Sequence, residues 1–429
     1  MVEVLLGLAG MRVLGVAEGD DEVVIEVETT ASMGWCRSCG VRAQAQDRTV
    51  KSVRDLSCFG RPVRLAICQR KWRCRESLCA VKTWTEDIDQ IDATAVLTRR
   101  AGAEACRQVG QQARPVAAVA REFGVCWWTI MNAVIEHGTP LADDPGRVGD
   151  VVQLGVDETS YQAARPGRST RYVTGLVDLE QRRMIDLVPG NSAADLRSWC
   201  ANTDPGWLGK VQVVATDLAE SYRAGLSPHL DHATRVADPF HVVRAANRCL
   251  DKVRRRVQND QLGHRGRKQD PLYKIRKILL AASERLTVSG VERFHLGLRA
   301  GDPNDEVLGA WLAKENVRDV YLAGNVADAT VLLDKAITGC HSDVVAEVRA
   351  LGDTLARWRT EILNRHATGA SNGPTEGLNL LVKEVKRCGR GFENFEHYRL
   401  RVLLRAGKPA WPQRPTPPLL KTPRPHAHA

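Results

Sequence analysis

Asp157 closes the run Val151-Val152-Gln153-Leu154-Gly155-Val156-Asp157-Glu158, and Asp217 closes Val211-Gln212-Val213-Val214-Ala215-Thr216-Asp217. Each run reads as a buried strand that ends in acid. Glu376 lies in Ser371-Asn-Gly-Pro-Thr-Glu376-Gly-Leu-Asn379, a cap-type cluster followed by proline in a first helical turn. Leu378, Leu381, Val382 and Val385 then recur at helical spacing on one face, and Glu376, Asn379, Lys383, Lys386 and Arg387 fall on another. Two carboxylates held close do not both ionise without a cation between them. Oxygen-only ligands suit Mg²⁺ or Mn²⁺. A third carboxylate from a later helix completes a site for two such ions, the arrangement that metal-assisted phosphoryl transfer requires. The cations that follow Glu376 suit a polyanion beside the metals. Asp178 and Asp238 are rival carboxylates. Asp178 begins a turn and reads as structural, and Asp238 opens a helix in which His241 either packs, the favoured reading, or approaches the site.

The strands around these acids follow a recognisable order. Residues 172–178 and 183–188 are further strands that follow the first without helices, so an antiparallel meander is expected. A helix over 192–202 starts at a serine cap. The strand ending at Asp217, a helix over 219–226 and a short strand over 233–237 complete the unit. This is the order of a ribonuclease-H-like fold, in which the first and fourth strands lie side by side and make Asp157 and Asp217 neighbours. From Pro239 to Asn364 the chain reads as almost wholly helical, with Trp311, Tyr321 and Trp358 expected in its core. Arg244, Arg248, Lys252, Arg254, Arg255 and Arg256, with 264–268 and 274–277, suit phosphates or a solvated face equally.

The N-terminal third has a different texture. Residues 11–16 and 22–28 read as strands joined by a Gly-Asp-Asp turn. Cys36-Arg-Ser-Cys39 and the pair Cys74 and Cys79, with strand-like Val63 to Cys68 between, fit one tetrahedral structural Zn²⁺ of the ribbon type. Cys68 reads as a core residue, and the irregular second pair leaves a swap involving Cys58 open. After Pro115, a short helix ends at Gly124 and a second runs from Cys126 to about His137. Ala120, Gly124 and Ile130 have the spacing of a helix-turn-helix. Trp127, Trp128, Thr129 and Asn132 would form the exposed, DNA-reading face of the second helix, with one tryptophan a candidate for the core.

The chain has 429 residues, enough for two to four domains, and carries 61 Lys+Arg against 51 Asp+Glu, a formal charge of +10. That balance favours nucleic acid over a membrane surface. No run approaches the roughly 18 apolar residues of a membrane span. Met1 to Ala9 lacks a basic leader and carries Glu3, a poor signal peptide. Twelve cysteines without an export signal point to a reducing, cytoplasmic compartment. Beyond Lys408 the chain is proline-rich and reads as disordered.

Taken together, the stretches Cys36-Arg-Ser-Cys39-Gly with Cys74 and Cys79, Gly155-Val-Asp157-Glu158, Thr216-Asp217 with Ser221-Tyr222, Ala237-Asp238-Pro239-Phe240-His241, and Ser371 to Asn379 running on to Arg390-Gly-Phe392-Glu-Asn-Phe395 resemble the DDE-type insertion-sequence transposases of the ISL3 group. The resemblance implies that Asp157, Asp217 and Glu376 are the catalytic triad. It also implies that a zinc-binding domain and a helix-turn-helix recognise terminal inverted repeats of double-stranded DNA. Transposases of this type work as multimers, at least dimers on DNA. The expected architecture is multidomain α+β: a zinc ribbon (1–90), a helix-turn-helix domain (91–142), a ribonuclease-H-like α/β catalytic core in two parts (148–238 and 367–406) interrupted by a helical insertion (239–366), and a proline-rich tail (407–429). The expected activity is metal-dependent strand cleavage and strand transfer. Asn379, Lys383, Lys386 and Arg387 would hold the DNA backbone beside the metals. The rival readings are a DNA-binding regulator with an inactive core and a structure-selective nuclease of the same fold.

Overall fold

The structure is a computed structural model that describes residues 7, 8 and 10–412; most of Met1–Ala9, and the tail beyond 412, lie outside the described residues. The chain divides into two compact units, one up to Arg147 together with the chain from Lys408, the other Val148–Gly407.

In the first unit, β1 (Met11–Glu18), β2 (Val23–Thr29), β3 (Gln44–Cys58), β4 (Arg61–Arg73) and β5 (Thr83–Thr85) make one sheet of order β1-β2-β4-β3, with β5 also paired to β4. Alternate residues Val63, Leu65 and Ile67 of β4 face a core shared with Val23, Ile25 and Val27. β3 is the strand that the sequence does not announce. It is an edge strand whose first half is polar and exposed, so no alternation marks it. Three helices follow: α1 (Arg99–Gly110), α2 (Val116–Phe123) and α3 (Trp127–Ala142). Thr98 caps α1 by accepting from the Ala101 amide at 3.2 Å. Gly124, at φ +64°, ends α2 in the left-handed region. Ala120 and Ile130 are buried between α2 and α3, as their spacing predicts. The sheet and the helices are joined by Asp55, 1% exposed. Thr98 Oγ1 donates to Asp55 Oδ1 at 2.6 Å, and Arg100 Nε donates to the same oxygen at 2.9 Å.

The second unit opens with β6 (Gln153–Gln162), β7 (Arg171–Asp178) and β8 (Arg183–Pro189) as an antiparallel meander. It continues through α4 (Ala193–Ala201), β9 (Val213–Thr216), α5 (Glu220–Leu226) and β10 (Thr234–Ala237). The sheet order is β10-β9-β6-β7-β8, with β6, β9 and β10 mutually parallel. Ser192 and Asp195 form a reciprocal capping box at α4. One expectation needs correction. Asp157 does not end its strand, because β6 runs on to Gln162. What ends near it is the pairing with β9, whose last partners are Gly155 and Ala215. Beyond that point β7 is the one described strand that pairs with β6, which frees the other flank of the strand for side chains to gather.

Six longer helices follow β10 before the chain returns to the sheet: α6 (Pro239–Leu262), α7 (Val288–Gly301), α8 (Glu306–Leu322), α9 (Val326–His341), α10 (Ala346–Arg357) and α11 (Arg359–Thr368). Their own core includes Leu250, Val317, Leu333 and Trp358, with Trp311 and Tyr321 packed against it. No helix among the described residues is long and apolar enough to cross a membrane. The chain then returns to the sheet through α12 (Gly373–Gly389) and α13 (Phe395–Ala406).

α12 is fastened along β6 by polar side chains two helical turns apart. Asn372 Nδ2 donates to the Val156 carbonyl at 3.1 Å, Asn379 Nδ2 to Asp157 Oδ2 at 2.8 Å, and Lys386 Nζ to the Ser160 carbonyl at 2.7 Å. Close approach of the helix requires Gly155. A Cβ there would lie 2.5 Å from Thr375 Oγ1, 2.6 Å from Leu179 Cδ2 and 2.7 Å from Asn372 Oδ1. Gly155→Ala is therefore expected to destabilise the protein by about 1–3 kcal/mol, the usual penalty for overpacking a filled interior. A urea unfolding midpoint that does not fall would show that the helix can move away.

Candidate active site and metal centres

The β6–β9 register brings the first two carboxylates together. Gly155 pairs with Ala215 in parallel, so Asp157 and Asp217 each lie two residues past the last paired position. Both line a cavity of about 900 Å³, together with Glu376 from the first turn of α12. Burial raises the pKa of all three carboxyls. For Asp157 burial is opposed chiefly by the nearby His241 imidazole. Asp217 is pushed up to about 6 by burial, with the Asp157 and Glu158 charges adding to the rise and His241 opposing it. Glu376 is raised by burial and by the charges of Asp238 and Asp157. The cavity lining also sets four carboxylates, Asp157, Glu158, Asp217 and Glu376, against three basic side chains, Arg244, Arg248 and Lys383.

The hydrogen bonding agrees with that imbalance. Asp217 Oδ1 and Asp238 Oδ2 are buried and have no hydrogen-bond partner. A buried carboxylate oxygen left unpaired is strongly disfavoured unless a cation meets it. The donor set of hard oxygens at the end of a strand pairing fits a divalent ion of the Mg²⁺ or Mn²⁺ type.

The side chains expected to hold a DNA backbone separate into two groups. Lys383 and Arg387 are exposed, and Lys383 lines the cavity. Asn379 also lines it but is 7% exposed and gives its amide to Asp157. Lys386 is half-buried and also reaches the Ser160 hydroxyl, at 3.0 Å. Asp178, by contrast, is bound to Arg183 and to turn amides, a structural role.

Two further residues are in the pocket region, the rival carboxylate Asp238 and the histidine one helical turn after it. His241 lines the cavity, and Asp238, 2% exposed, lies beside it and Glu376. The spacing Asp238-Pro-Phe-His241, one helical turn, was their signal. Arg244 and Arg248 continue that face of α6 and line the same cavity. Arg254 and Arg256 turn inward instead: Arg254 binds Asp251, and Arg256 binds Glu306 and Glu347.

In the first unit, Cys36, Cys39, Cys74 and Cys79 gather with their sulfurs all within 4.8 Å of one another. Cys36 Sγ lies 3.6 Å from Cys79 Sγ, and Cys39 Sγ lies 3.5 Å from Cys74 Sγ. A tetrahedron with metal–sulfur bonds of about 2.3 Å has edges of roughly 3.8 Å. Backbone amides, that of Cys39 foremost, lower the Cys36 thiol to about 6, toward the thiolate that a metal takes. Cys58 ends β3 where it turns into β4, at the far end of that hairpin from Cys74, and Cys68 is half-buried beside Arg48. Neither joins the cluster. On α3, Trp127 and Trp128 are 39% and 60% exposed, so neither is core, and their rings meet edge to face at 4.8 Å. Thr129 is half-buried and Asn132 exposed.

The mixed sheet thus gathers Asp157 of β6, Asp217 just past β9 and Glu376 of α12 around one cavity, and a four-cysteine cluster precedes it in the chain. The family model of ISL3-type DDE transposases, described as "Transposase", matches residues 154–402, and the chain belongs to that family. It is similar to the transposase for insertion sequence element IS1001 of Bordetella parapertussis, 26% identical over 384 residues, covering 88% of this chain and 90% of that one. It is also similar to the transposase for insertion sequence element IS1557 of Mycobacterium tuberculosis, 26% identical over 300 residues and 65% of each chain.

The acid pocket has a measurable consequence in magnesium-free buffer. A carboxyl whose pKa is higher in the folded than in the unfolded chain favours folding at low pH. For Asp217, raised from 3.8 to about 6, that contribution is lost as pH climbs between those values. Asp217→Asn is expected to gain stability relative to wild type across that window. Urea midpoints at pH 4 and pH 7 check it; a difference that stays constant would mean that Asp217 titrates normally.

Proposed function

We propose that this protein binds the terminal inverted repeats of an insertion sequence and catalyses divalent-metal-dependent strand cleavage and strand transfer. The observation that carries the reading is the meeting of Asp157, Asp217 and Glu376 in one cavity, with a buried, partnerless oxygen on Asp217. The strand order β10-β9-β6-β7-β8 supports a ribonuclease-H-like core for this chemistry. Asp157, Asp217 and Glu376 would hold two Mg²⁺ or Mn²⁺ ions. Bound there, such ions lower the pKa of an attacking water and take up charge on the leaving oxygen.

The chain's own residues set the geometry. Asn379 orients the Asp157 carboxylate through its 2.8 Å hydrogen bond. Lys383, Arg244 and Arg248 line the cavity and meet backbone phosphates. Water attacks a phosphodiester at the element's end; its oxygen bonds to phosphorus as the bond to the 3′-oxygen breaks and that oxygen takes a proton. The freed 3′-hydroxyl then attacks a target phosphodiester in the same sense, giving up its proton as the target's own bridging oxygen leaves. In the first unit, the four cysteines would hold one Zn²⁺, and the exposed Trp127, Trp128 and Asn132, with Thr129, would face DNA. The protein would act in the cytoplasm as a homo-oligomer, at least a dimer on the DNA. A regulator with an inactive core has no need of partnerless buried carboxylate oxygens, which disfavour folding.

Asp157→Ala and Glu376→Ala are each expected to lower excision from a donor plasmid by at least about 10²-fold, on the scale of losing a main electrostatic contributor to the transition state. Full activity in either variant would sink the triad. Cys74→Ser is expected to lose the bound zinc and the binding to repeat DNA together. Metal analysis and a gel-shift titration read the two; zinc at wild-type content would remove Cys74 from the ligand set.

A further inference from the structure

Asp238 and His241 play no part in the triad, yet they face it. Asp238 is the N-cap residue of α6 and His241 lies in its first turn, three residues on. Glu376 approaches from the first turn of α12. One ligand atom of each, two carboxylate oxygens and an imidazole nitrogen, lie within 4.8 Å of one another. Asp238 is 2% exposed, its Oδ1 accepts from the Asn372 amide at 2.9 Å, and its Oδ2 is buried with no hydrogen-bond partner. The bonded oxygen fixes the carboxyl, and the other is left without a donor in a cluster with His241 and Glu376. A buried carboxylate oxygen without a donor beside an imidazole and a second carboxylate is the arrangement of a cation site.

We propose that Asp238, His241 and Glu376 form a divalent-cation site with one nitrogen and two oxygen ligands, which prefers Mn²⁺ to Mg²⁺. The preference follows from the ligand set. Mg²⁺ takes oxygen almost exclusively, whereas Mn²⁺, though it also favours oxygen, accepts an imidazole more readily than Mg²⁺ does. The inference rests on the reading of Glu376 as a metal ligand, and it makes that carboxylate the link between the aspartate pair and this second position.

The test uses the full chain and Mn²⁺ alone. Pulsed electron paramagnetic resonance of the Mn²⁺-loaded wild type is expected to show the nitrogen-14 modulation of one bound imidazole. His241→Gln is expected to abolish that modulation and to weaken Mn²⁺ binding by about 10–100-fold, while Mg²⁺ binding changes by less than about threefold. Asp238 also helps hold Asn372, so it is left intact, and thermal melting confirms that His241→Gln is folded. Modulation absent from the wild type, or surviving in His241→Gln, overturns the site. Should Asp157→Ala retain excision while the His241-dependent signal is present, the cation site stands and the catalytic reading fails.

Discussion

The unit that carries the acid pocket depends on one buried residue, Asn372, at the start of α12. Its exposure is 0%. Its backbone N–H donates to Asp238 at 2.9 Å, its side-chain amide donates to the Val156 carbonyl at 3.1 Å, and its side-chain oxygen accepts from Thr375 at 2.5 Å. Those contacts join the strand of Asp157, the carboxylate that opens α6 and the helix of Glu376. Each buried hydrogen bond adds only about 1 kcal/mol net, but a partner left unpaired costs about 1–3 kcal/mol. The junction therefore acts through the penalty for breaking it. Asn379 and Lys386 repeat the contact at two-turn intervals, so a single stripe of α12 sets the depth of Glu376 against the sheet.

That fixed geometry works against the charges it gathers. Asp157, Asp217 and Glu376 all have their carboxyl pKa values raised by burial, and their neighbours' negative charges add to it. Such a site lowers the stability of the metal-free chain, which is common where function needs charge in a low-dielectric place. The stability is supplied elsewhere. Leu154, Val156, Leu176 and Val214 are buried at 0–1% exposure beneath the same strands. The insertion has an apolar core of its own.

Much of this arrangement was legible in the sequence because local signals and chemistry coincide. Buried strands read as apolar runs, and the Ser192 and Gly124 boundaries read as caps. The four clustered cysteines were readable because metal ligands come in short loops. What failed to show were features set by neighbours in space. Asp157 reads as a strand terminus because acids usually end strands, yet β6 continues once β9 has stopped pairing with it. β3 lacks alternation because it is a sheet edge. Asn379 and Lys386 look like surface polar residues on a helical wheel; only their proximity to β6 turns them inward. His241 looks like an ordinary first-turn residue until the helix that carries Glu376 arrives beside it.

The insertion explains how those distant residues meet at little expense. The chain leaves the sheet at Asp238 and comes back at Asn372, and these two residues are hydrogen-bonded to each other. The insertion is thus a closed loop on the core. Its closure entropy grows only with the logarithm of its length, so the added helices change the energetics of the sheet very little. The loop is closed a second time where Asn364 Nδ2, on α11, donates to the Arg235 carbonyl of β10 at 2.8 Å. With both ends pinned, the direction of α6 is determined. Its first turns must pass the strand ends, which carries His241, Arg244 and Arg248 to the cavity wall.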